Sequence, residues 1–252
     1  MKKIPKLAVA FDFENRTDVF SWCEKLKGMP IVVKLGLGIL PRLTEDDLKL
    51  IKSFGFEFFA DMKLHDIPSQ VERAVRFWIG AGAKYLTIHC GGGSQMMESA
   101  VAVRNALPLP DGTKTQLLGV TLLTSLSDTH VRELGFHEGR KKQIETFVNL
   151  SLKSGLSGFV SPARFVPEMR ALAQSKEQSG KGQGSNFFAC TPGIALTQNE
   201  IRYDQPDLCD VKTAVNLSSD LLVVGRSVLQ SIDPRSTVET ILNEIQEVSG
   251  AL

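Results

Sequence analysis

The 252-residue sequence predicts one (β/α)8 barrel, an α/β fold of the TIM-barrel type, that spans residues 1–252 as a single domain. Eight short apolar runs rich in β-branched residues recur along the chain, and the segments between them carry apolar residues at helical spacing. Hydrophobicity within the runs is continuous rather than alternating, which indicates strands covered on both faces and hence a parallel sheet. Eight strand–helix units in a chain of this length close most naturally into a barrel, and an open doubly wound sheet is the alternative.

The predicted elements follow one another in regular order. The strands are Leu7–Phe11, Ile31–Leu35, Glu57–Ala60, Tyr85–Cys90, Leu117–Leu122, Gly158–Ser161, Phe187–Thr191 and Leu221–Gly225. The helices predicted between them are Thr44–Phe54, Ser69–Ala81, Ser94–Leu107, Lys141–Ser154, Pro162–Gln174 and Pro234–Val248. A stretch rich in Ser, Gly, Lys and Gln, Gln174–Asn186, is predicted to be a surface loop before the seventh strand. The charged run Glu138–Lys142 is predicted to begin a solvated helix.

Composition and charge exclude several classes of protein. A hydrophobic content of 42% allows a large core, and a formal net charge of +1 without a basic block does not indicate a nucleic-acid or membrane partner. The first apolar run is short and reaches Asp12 at once, so it predicts a strand rather than a signal peptide or membrane span. The widely spaced cysteines, with no CxxC pair, favour reduced thiols in a cytoplasmic protein over a metal site; they are Cys23, Cys90, Cys190 and Cys209.

The segment FADMKLHDIP places Asp61, Lys63 and Asp66 within six residues, directly behind a buried apolar run. Desolvated charges each cost roughly several kcal/mol unless they are paired. Strand alternation puts Asp61 and Lys63 on the same side, whereas Asp66 lies beyond the strand. An Asp-x-Lys pair alone is usually a structural salt bridge, but Lys34 near the end of the second strand adds another ammonium. Together these residues predict an alternating charge network of the kind that electrostatic preorganisation requires.

Two glycine-containing turns lie at the same predicted rim, the carboxyl ends of the strands. Thr191-Pro192-Gly193 follows the seventh strand, and Gly225-Arg226-Ser227 follows the eighth. Each turn alone is equally compatible with an ordinary tight strand–helix connection. Because loops after the last two strands commonly bind phosphate in these barrels, the two turns together predict a phosphate ester as ligand.

With these residues identified, the chain resembles the orotidine 5′-phosphate decarboxylase family nearly from end to end. The matching segments occur in family order and are VAFD, VVKLG, FADMKLHDIP, LLGVTLLTS, GFVSPA, CTPGI and VVGRSV. The resemblance implies a homodimeric barrel that converts orotidine 5′-monophosphate to UMP and CO2 in de novo pyrimidine biosynthesis. It also implies that the reaction needs no metal or organic cofactor.

The resemblance assigns roles residue by residue. Lys34, Asp61 and Lys63 match the catalytic array, with Lys63 as the proton donor, and Asp66 matches an aspartate contributed across the dimer interface. The positions matching substrate-binding residues are Asp12, Lys34, Thr124, Gln198, Gly225 and Arg226.

Two departures from the family pattern concern the ligand contacts. Gln70 stands where the family commonly has Thr. The resemblance also implies that the loop after Thr191-Pro192-Gly193 is a lid that grips the phosphate. In this loop Tyr203 precedes Asp204-Gln205 and Pro206 follows, so Gln205 is an alternative to Gln198 as the phosphate-contacting glutamine.

Two other functions remain as alternatives. Related Mg²⁺-dependent sugar-phosphate decarboxylases and aldolases share the DxKxxD segment, but they need an acidic metal ligand from the second strand, where this chain has Lys34. A non-catalytic, nucleotide-binding barrel would keep Arg226 and the glycine turns while losing a member of the charged network, and the sequence has lost none.

Overall fold

The computed structural model describes residues 4–178, 187–196 and 207–250. Its centre is a closed barrel of eight strands, in which every pair of neighbouring strands is parallel. This confirms the predicted (β/α)8 fold. The strands are β1 (Lys6–Ala10), β2 (Ile31–Gly36), β3 (Glu57–Leu64), β4 (Tyr85–His89), β5 (Gln116–Val120), β6 (Gly158–Val160), β7 (Phe188–Thr191), β8 (Ile194–Ala195), β9 (Cys209–Asp210) and β10 (Leu221–Val224). Strands β1–β7 and β10 form the barrel, whereas β8 and β9 form a separate two-stranded ribbon.

Helices follow the strands on the outside of the barrel. They are α1 (Arg16–Leu26), α2 (Glu45–Ser53), α3 (Pro68–Gly80), α4 (Gly93–Ala106), α5 (Asp128–Glu133), α6 (Gly139–Lys153), α7 (Val166–Gln178), α8 (Val211–Asn216), α9 (Arg226–Leu229) and α10 (Pro234–Ser249). Short 3-10 turns occupy Leu40–Arg42, Cys90–Gly92 and Ala163–Phe165. No helix in the described part of the chain is both long and apolar enough to cross a membrane.

Several element boundaries differ from the prediction. Strand β3 continues to Leu64, four residues beyond the predicted end, and its pairing with β4 shifts register between Ala60 and Leu64. Helix α7 runs to Gln178, so the loop predicted from Gln174 was wrong over its first residues. Side chains such as those of Gln174 and Lys176 are good helix formers, and composition alone does not separate them from a loop.

Some elements were given no bounds in the prediction. Helix α1 was missed, although its buried residues Val19, Cys23 and Leu26 have helical spacing. The ribbon of β8 and β9 and the short helices α5, α8 and α9 have too few residues to show a period.

Two apolar layers hold the barrel together. The larger layer lies between strands and helices, and a smaller one fills the barrel interior with Ala8, Ala10, Val32, Phe59, Tyr85, Leu118, Phe188, Cys190, Leu221 and Val223. Side chains of a strand alternate between these layers. Lys34 therefore points inward two residues after Val32, and Asp61 does so two residues after Phe59. Both charges stand above an apolar floor at the carboxyl ends of the strands.

Candidate active site

A cavity of about 660 Å³ opens at the carboxyl ends of the barrel strands. Its wall combines the charged residues of β1, β2 and β3 with the turns that follow β7 and β10. The predicted site residues that line it are Asp12, Lys34, Asp61, Lys63, Thr124, Gly225 and Arg226. The barrel topology brings these residues together from segments far apart in the sequence.

Four charged side chains form an alternating row along one side of this cavity. Asp61 Oδ2 accepts hydrogen bonds from both lysines, at 2.8 Å from Lys63 Nζ and 3.1 Å from Lys34 Nζ. Lys34 Nζ also lies 3.5 Å from Asp12 Oδ1. The two central members, Lys34 and Asp61, are nearly buried, whereas 31% of the Lys63 side chain is exposed. Both lysines line the cavity, and Lys63 is the more exposed of the two.

Thr87 on β4 completes the coordination of Asp61. Its hydroxyl donates to Asp61 Oδ1 over 2.9 Å and accepts the backbone N–H of Lys63 over 2.8 Å. The side chain is fully buried. Sequence analysis did not identify Thr87 as a site residue, because its inward position on β4 indicates burial but not its partners on β3.

Lys63 adopts a left-handed backbone conformation with φ of 48°. The pairing of β3 with β4 shifts register between Ala60 and Leu64, so Lys63 lies within a β-bulge. A positive φ costs a non-glycine residue on the order of 1–2 kcal/mol, and such strain is concentrated at functional sites. Bulges re-aim side chains. The backbone here turns the Lys63 ammonium toward Asp61 and the cavity.

The charges of the row stabilise one another. Burial opposes charge on Asp61, but the Coulombic attraction of Lys34 and Lys63 outweighs it and lowers the pKa of Asp61 below its ordinary value. Burial likewise opposes charge on Lys34, but the attraction of Asp61 and Asp12 outweighs it and raises the pKa of Lys34. Both residues are therefore ionised at neutral pH.

A histidine pair lies beside the row. The rings of His65 and His89 are 5.3 Å apart and inclined by 30°. Burial lowers the pKa of His89, and the nearby His65 and Lys63 lower it further, so His89 is neutral at pH 7. Neither imidazole lines the cavity, so this pair packs against the site from outside.

The two predicted phosphate-binding turns follow β7 and β10, and β10 is the barrel neighbour of β1. Gly193 has φ of 78°, a conformation that favours glycine, and its carbonyl accepts the backbone N–H of Cys209 over 3.0 Å. This bond links the turn after β7 to the ribbon of β8 and β9. Gly225 and Arg226 line the same wall beside it. The cavity therefore combines a charged row with an adjoining wall of two glycine-containing turns and Arg226.

A buried ion cluster supports the turn after β7. The carboxylate of Asp207 is bonded to Arg140 and, over 2.6 Å, to Arg164. Arg140 belongs to the run predicted to begin a solvated helix, and that prediction was wrong for this residue because its guanidinium is buried against Asp207. The partner lies 67 residues away, and only the fold brings the two together.

Asp66 and Gln70 do not line the cavity. Asp66 is exposed, and its Oδ1 accepts the N–H of Ile67 over 2.7 Å. Gln198 and the alternative Gln205 lie outside the described residues. Gln70, which stands where the family commonly has Thr, is exposed on α3. Within residues 4–178, 187–196 and 207–250, no group of three or more His, Cys, Asp or Glu side chains is arranged to hold a metal ion.

Known proteins are similar to this chain in both sequence and fold. A family model described as "Orotidine 5'-phosphate decarboxylase / HUMPS family" matches residues 5–241. The chain is 30% identical to the orotidine 5′-phosphate decarboxylase of Bacillus anthracis over 244 residues, which cover 96% of this chain and 98% of that protein. The enzyme of the same name from Wolbachia pipientis subsp. Culex pipiens is 31% identical over 238 residues, or 94% and 97% of the two chains.

A solved structure agrees with these relatives. The crystal structure of orotidine 5′-phosphate decarboxylase from Lactobacillus acidophilus superposes with a TM-score of 0.80 at 28% identity and covers 96% of this chain and 99% of that one. The resemblance inferred from the sequence motifs is thereby confirmed. The match over nearly the whole length, together with the common fold, shows that the chain belongs to the orotidine 5′-phosphate decarboxylase / HUMPS family.

Proposed function

We propose that this protein decarboxylates orotidine 5′-monophosphate to UMP and CO2 in de novo pyrimidine biosynthesis, without a metal or organic cofactor. The observation that carries the proposal is the alternating row of Lys63, Asp61, Lys34 and Asp12 in one wall of the cavity. The curated relatives, which are named as orotidine 5′-phosphate decarboxylases, support the same activity.

The chemical difficulty of the reaction lies at C6 of the pyrimidine ring. When the bond between C6 and the carboxylate breaks, its electron pair stays on C6 and CO2 leaves. Lys63 stabilises the negative charge that develops there and then transfers a proton from Nζ to C6, which yields UMP. The neutral amine regains a proton from solvent. The partial exposure of the Lys63 side chain in the cavity supports this role.

The remaining members of the row prepare this step. Asp61 lies against the substrate carboxylate and is ionised, so the bound substrate is disfavoured relative to a transition state in which the carboxylate is departing. Lys34 holds Asp61 from the other side and contacts the ribose hydroxyls together with Asp12. This arrangement fixes the charges before the substrate arrives.

The rest of the cavity binds the unreactive parts of the substrate. Arg226 and Gly225 bind the phosphate, and Thr124 contacts the edge of the pyrimidine. Gln198, or alternatively Gln205, adds a contact from the segment that follows β8. Phosphate binding far from C6 supplies binding energy for closure around the ring.

We further propose a cytoplasmic homodimer in which Asp66 of each subunit enters the site of the other. The exposure of Asp66 outside its own cavity supports this, as does the adjacent Ile67, a large apolar side chain that is 61% exposed. The four cysteines carry no disulfide, in agreement with a reducing compartment.

The decisive experiment follows the ultraviolet absorbance of orotidine 5′-monophosphate mixed with purified protein in EDTA. We expect rapid loss of absorbance with an equal amount of UMP formed, and no loss with Lys63→Ala protein prepared in parallel. Intact substrate after incubation with folded wild-type protein would overturn the proposal. Sugar phosphates with Mg²⁺ would then test the sugar-phosphate alternative, which the presence of Lys34 rather than an acid on β2 disfavours.

A further inference from the structure

Gly36 is an inward position of β2 that carries no side chain. On this strand Val32 belongs to the barrel interior and Lys34 points inward above it, so strand alternation makes position 36 inward as well. Gly36 is the last residue of β2, pairs with Asp61 on β3 and is only half-buried. The carboxyl end of β2 therefore leaves a space above Lys34, at the end of the barrel where the cavity opens.

This space borders the ion pair of Lys34 with Asp12. A Cβ atom on Gly36 would lie 3.7 Å from Lys34 Nζ and 3.7 Å from Asp12 Oδ1. The two charged atoms are 3.5 Å apart, and both residues line the cavity. A ligand hydroxyl that enters the space meets a donor and an acceptor together. A methyl group at the same place would contact both atoms and exclude the hydroxyl.

The ion pair keeps hydrogen-bonding capacity for a ligand. An ammonium has three donors, and Lys34 Nζ contacts two carboxylates, those of Asp61 and Asp12. The Asp12 side chain is 63% exposed although it contacts this nearly buried cation. A second glycine borders its other oxygen, because a Cβ atom on Gly225 would lie 3.7 Å from Asp12 Oδ2. Both carboxylate oxygens of Asp12 thus adjoin positions without side chains.

Neither backbone strain nor a steric clash requires glycine at residue 36. Gly36 and the nearby Gly38 both lack a positive φ, so alanine fits the backbone at either position. The distances of 3.7 Å to Lys34 Nζ and Asp12 Oδ1 are ordinary van der Waals contacts. The fold would therefore accept a methyl group here, and what the glycine provides is access to the ion pair.

We propose that Gly36 is a specificity-determining residue, whose missing side chain leaves the space in which a ribose hydroxyl of the substrate bonds to both Lys34 and Asp12. This inference rests on the proposed function. A hydroxyl both accepts and donates, so one group can accept from the ammonium and donate to the carboxylate. A nucleotide without ribose hydroxyls gains nothing from the space.

Calorimetric titration of UMP and of 2′,3′-dideoxyuridine 5′-monophosphate into wild-type, Gly36→Ala and Gly38→Ala proteins tests the inference. The dideoxy nucleotide keeps the pyrimidine and the phosphate but lacks both ribose hydroxyls. We expect Gly36→Ala to weaken UMP binding by about 10- to 100-fold, the size of one hydrogen bond to a charged group, and to change binding of the dideoxy nucleotide by no more than about 3-fold. Gly38 provides a matched control because it is exposed, and the nearest atom to a Cβ there would be the carbonyl oxygen of Phe13 at 4.0 Å. Gly38→Ala should alter neither affinity.

The outcomes separate this inference from the proposed function. Because alanine at residue 36 makes ordinary contacts and restricts the unfolded chain, the melting temperature of Gly36→Ala should equal or exceed that of wild type. A lower melting temperature, or a changed oligomeric state in sedimentation velocity, would assign the space to packing or to a second subunit and overturn the inference. Unchanged UMP affinity in Gly36→Ala, or equal loss for both nucleotides, would also overturn it while leaving the decarboxylase proposal intact. Failure of wild-type protein to bind UMP at all would overturn both.

Discussion

Thr87 accepts the backbone N–H of Lys63 over 2.8 Å, and its hydroxyl hydrogen is directed to Asp61 over 2.9 Å. A single side chain thus fixes both the main chain at the left-handed Lys63 and the carboxylate that its ammonium contacts. Strain at Lys63 is compensated by this bond from the neighbouring strand. The geometry of the charged row therefore depends on β4 as well as on β2 and β3.

Replacing Thr87 by valine should impair the chemical step more than substrate binding. The change keeps the shape of the side chain but removes both hydrogen bonds, one of which goes to a charged group and is worth about 1.5–3 kcal/mol. We expect kcat to fall by about 10- to 100-fold with little change in KM, as measured by steady-state decarboxylation. Thr87→Ser retains the hydroxyl and should recover most of the activity. Equal kinetics for the valine variant and wild type would remove Thr87 from the positioning of the row.

Lys63→Ala should abolish turnover while leaving UMP binding largely intact. The substitution removes the proposed proton donor and the cation nearest the reacting carbon, and general acid catalysis alone contributes about 10²- to 10⁴-fold. Binding of UMP depends mainly on the ribose and phosphate contacts, which remain. Parallel measurements of product formation and UMP affinity check this expectation. Near-normal turnover would refute the proton-donor role.

Mixed dimers test whether Asp66 acts in the partner's site. Asp66→Asn and Lys63→Ala subunits should each be nearly inactive as homodimers. In a mixed dimer, one site combines the intact Lys63 of one subunit with the intact Asp66 of the other. Random exchange of equal amounts should therefore restore about a quarter of wild-type activity, because half of the dimers are mixed and each has one complete site. Absence of activity after exchange has been demonstrated by differently tagged subunits would contradict a shared site.

The sequence was sufficient to locate Lys34, Asp61 and Lys63 on one rim, because strand alternation and the parallel order of strands are local and repetitive signals. The role of Thr87 was not predictable in this way. It depends on the register between β3 and β4, which the bulge at Lys63 interrupts. Arg140 and Asp207 illustrate the same difficulty over a longer span, since two surface-like residues become buried only when α6 meets the segment before β9. Pair contacts across the fold carry information that periodicity does not.

The ion pair of Asp47 with Arg16 should make stability depend on acid pH. The hydrogen bond from Arg16, supported by the Thr44 capping interactions, lowers the pKa of Asp47 to about 2. Because this folded-state value lies below the unfolded value of about 3.9, the ionised carboxylate stabilises the fold above about pH 4, and this contribution is lost as the pH falls toward 2. Asp47→Asn should therefore lower the free energy of unfolding at pH 7 by about 1–3 kcal/mol.

The same variant should be destabilised less at pH 3 than at pH 7, because the wild-type carboxylate itself begins to protonate there. Urea unfolding at both pH values checks this, with Asp46→Asn as the control, since the neighbouring Asp46 is almost fully exposed and pairs with Lys49 on the helix surface. The control should change stability by no more than about 0.5 kcal/mol at either pH. If Asp47→Asn lowered the free energy of unfolding equally at pH 3 and pH 7, the carboxylate would contribute through packing rather than through its charge. The contact between α1 and α2 would then not depend on the ion pair.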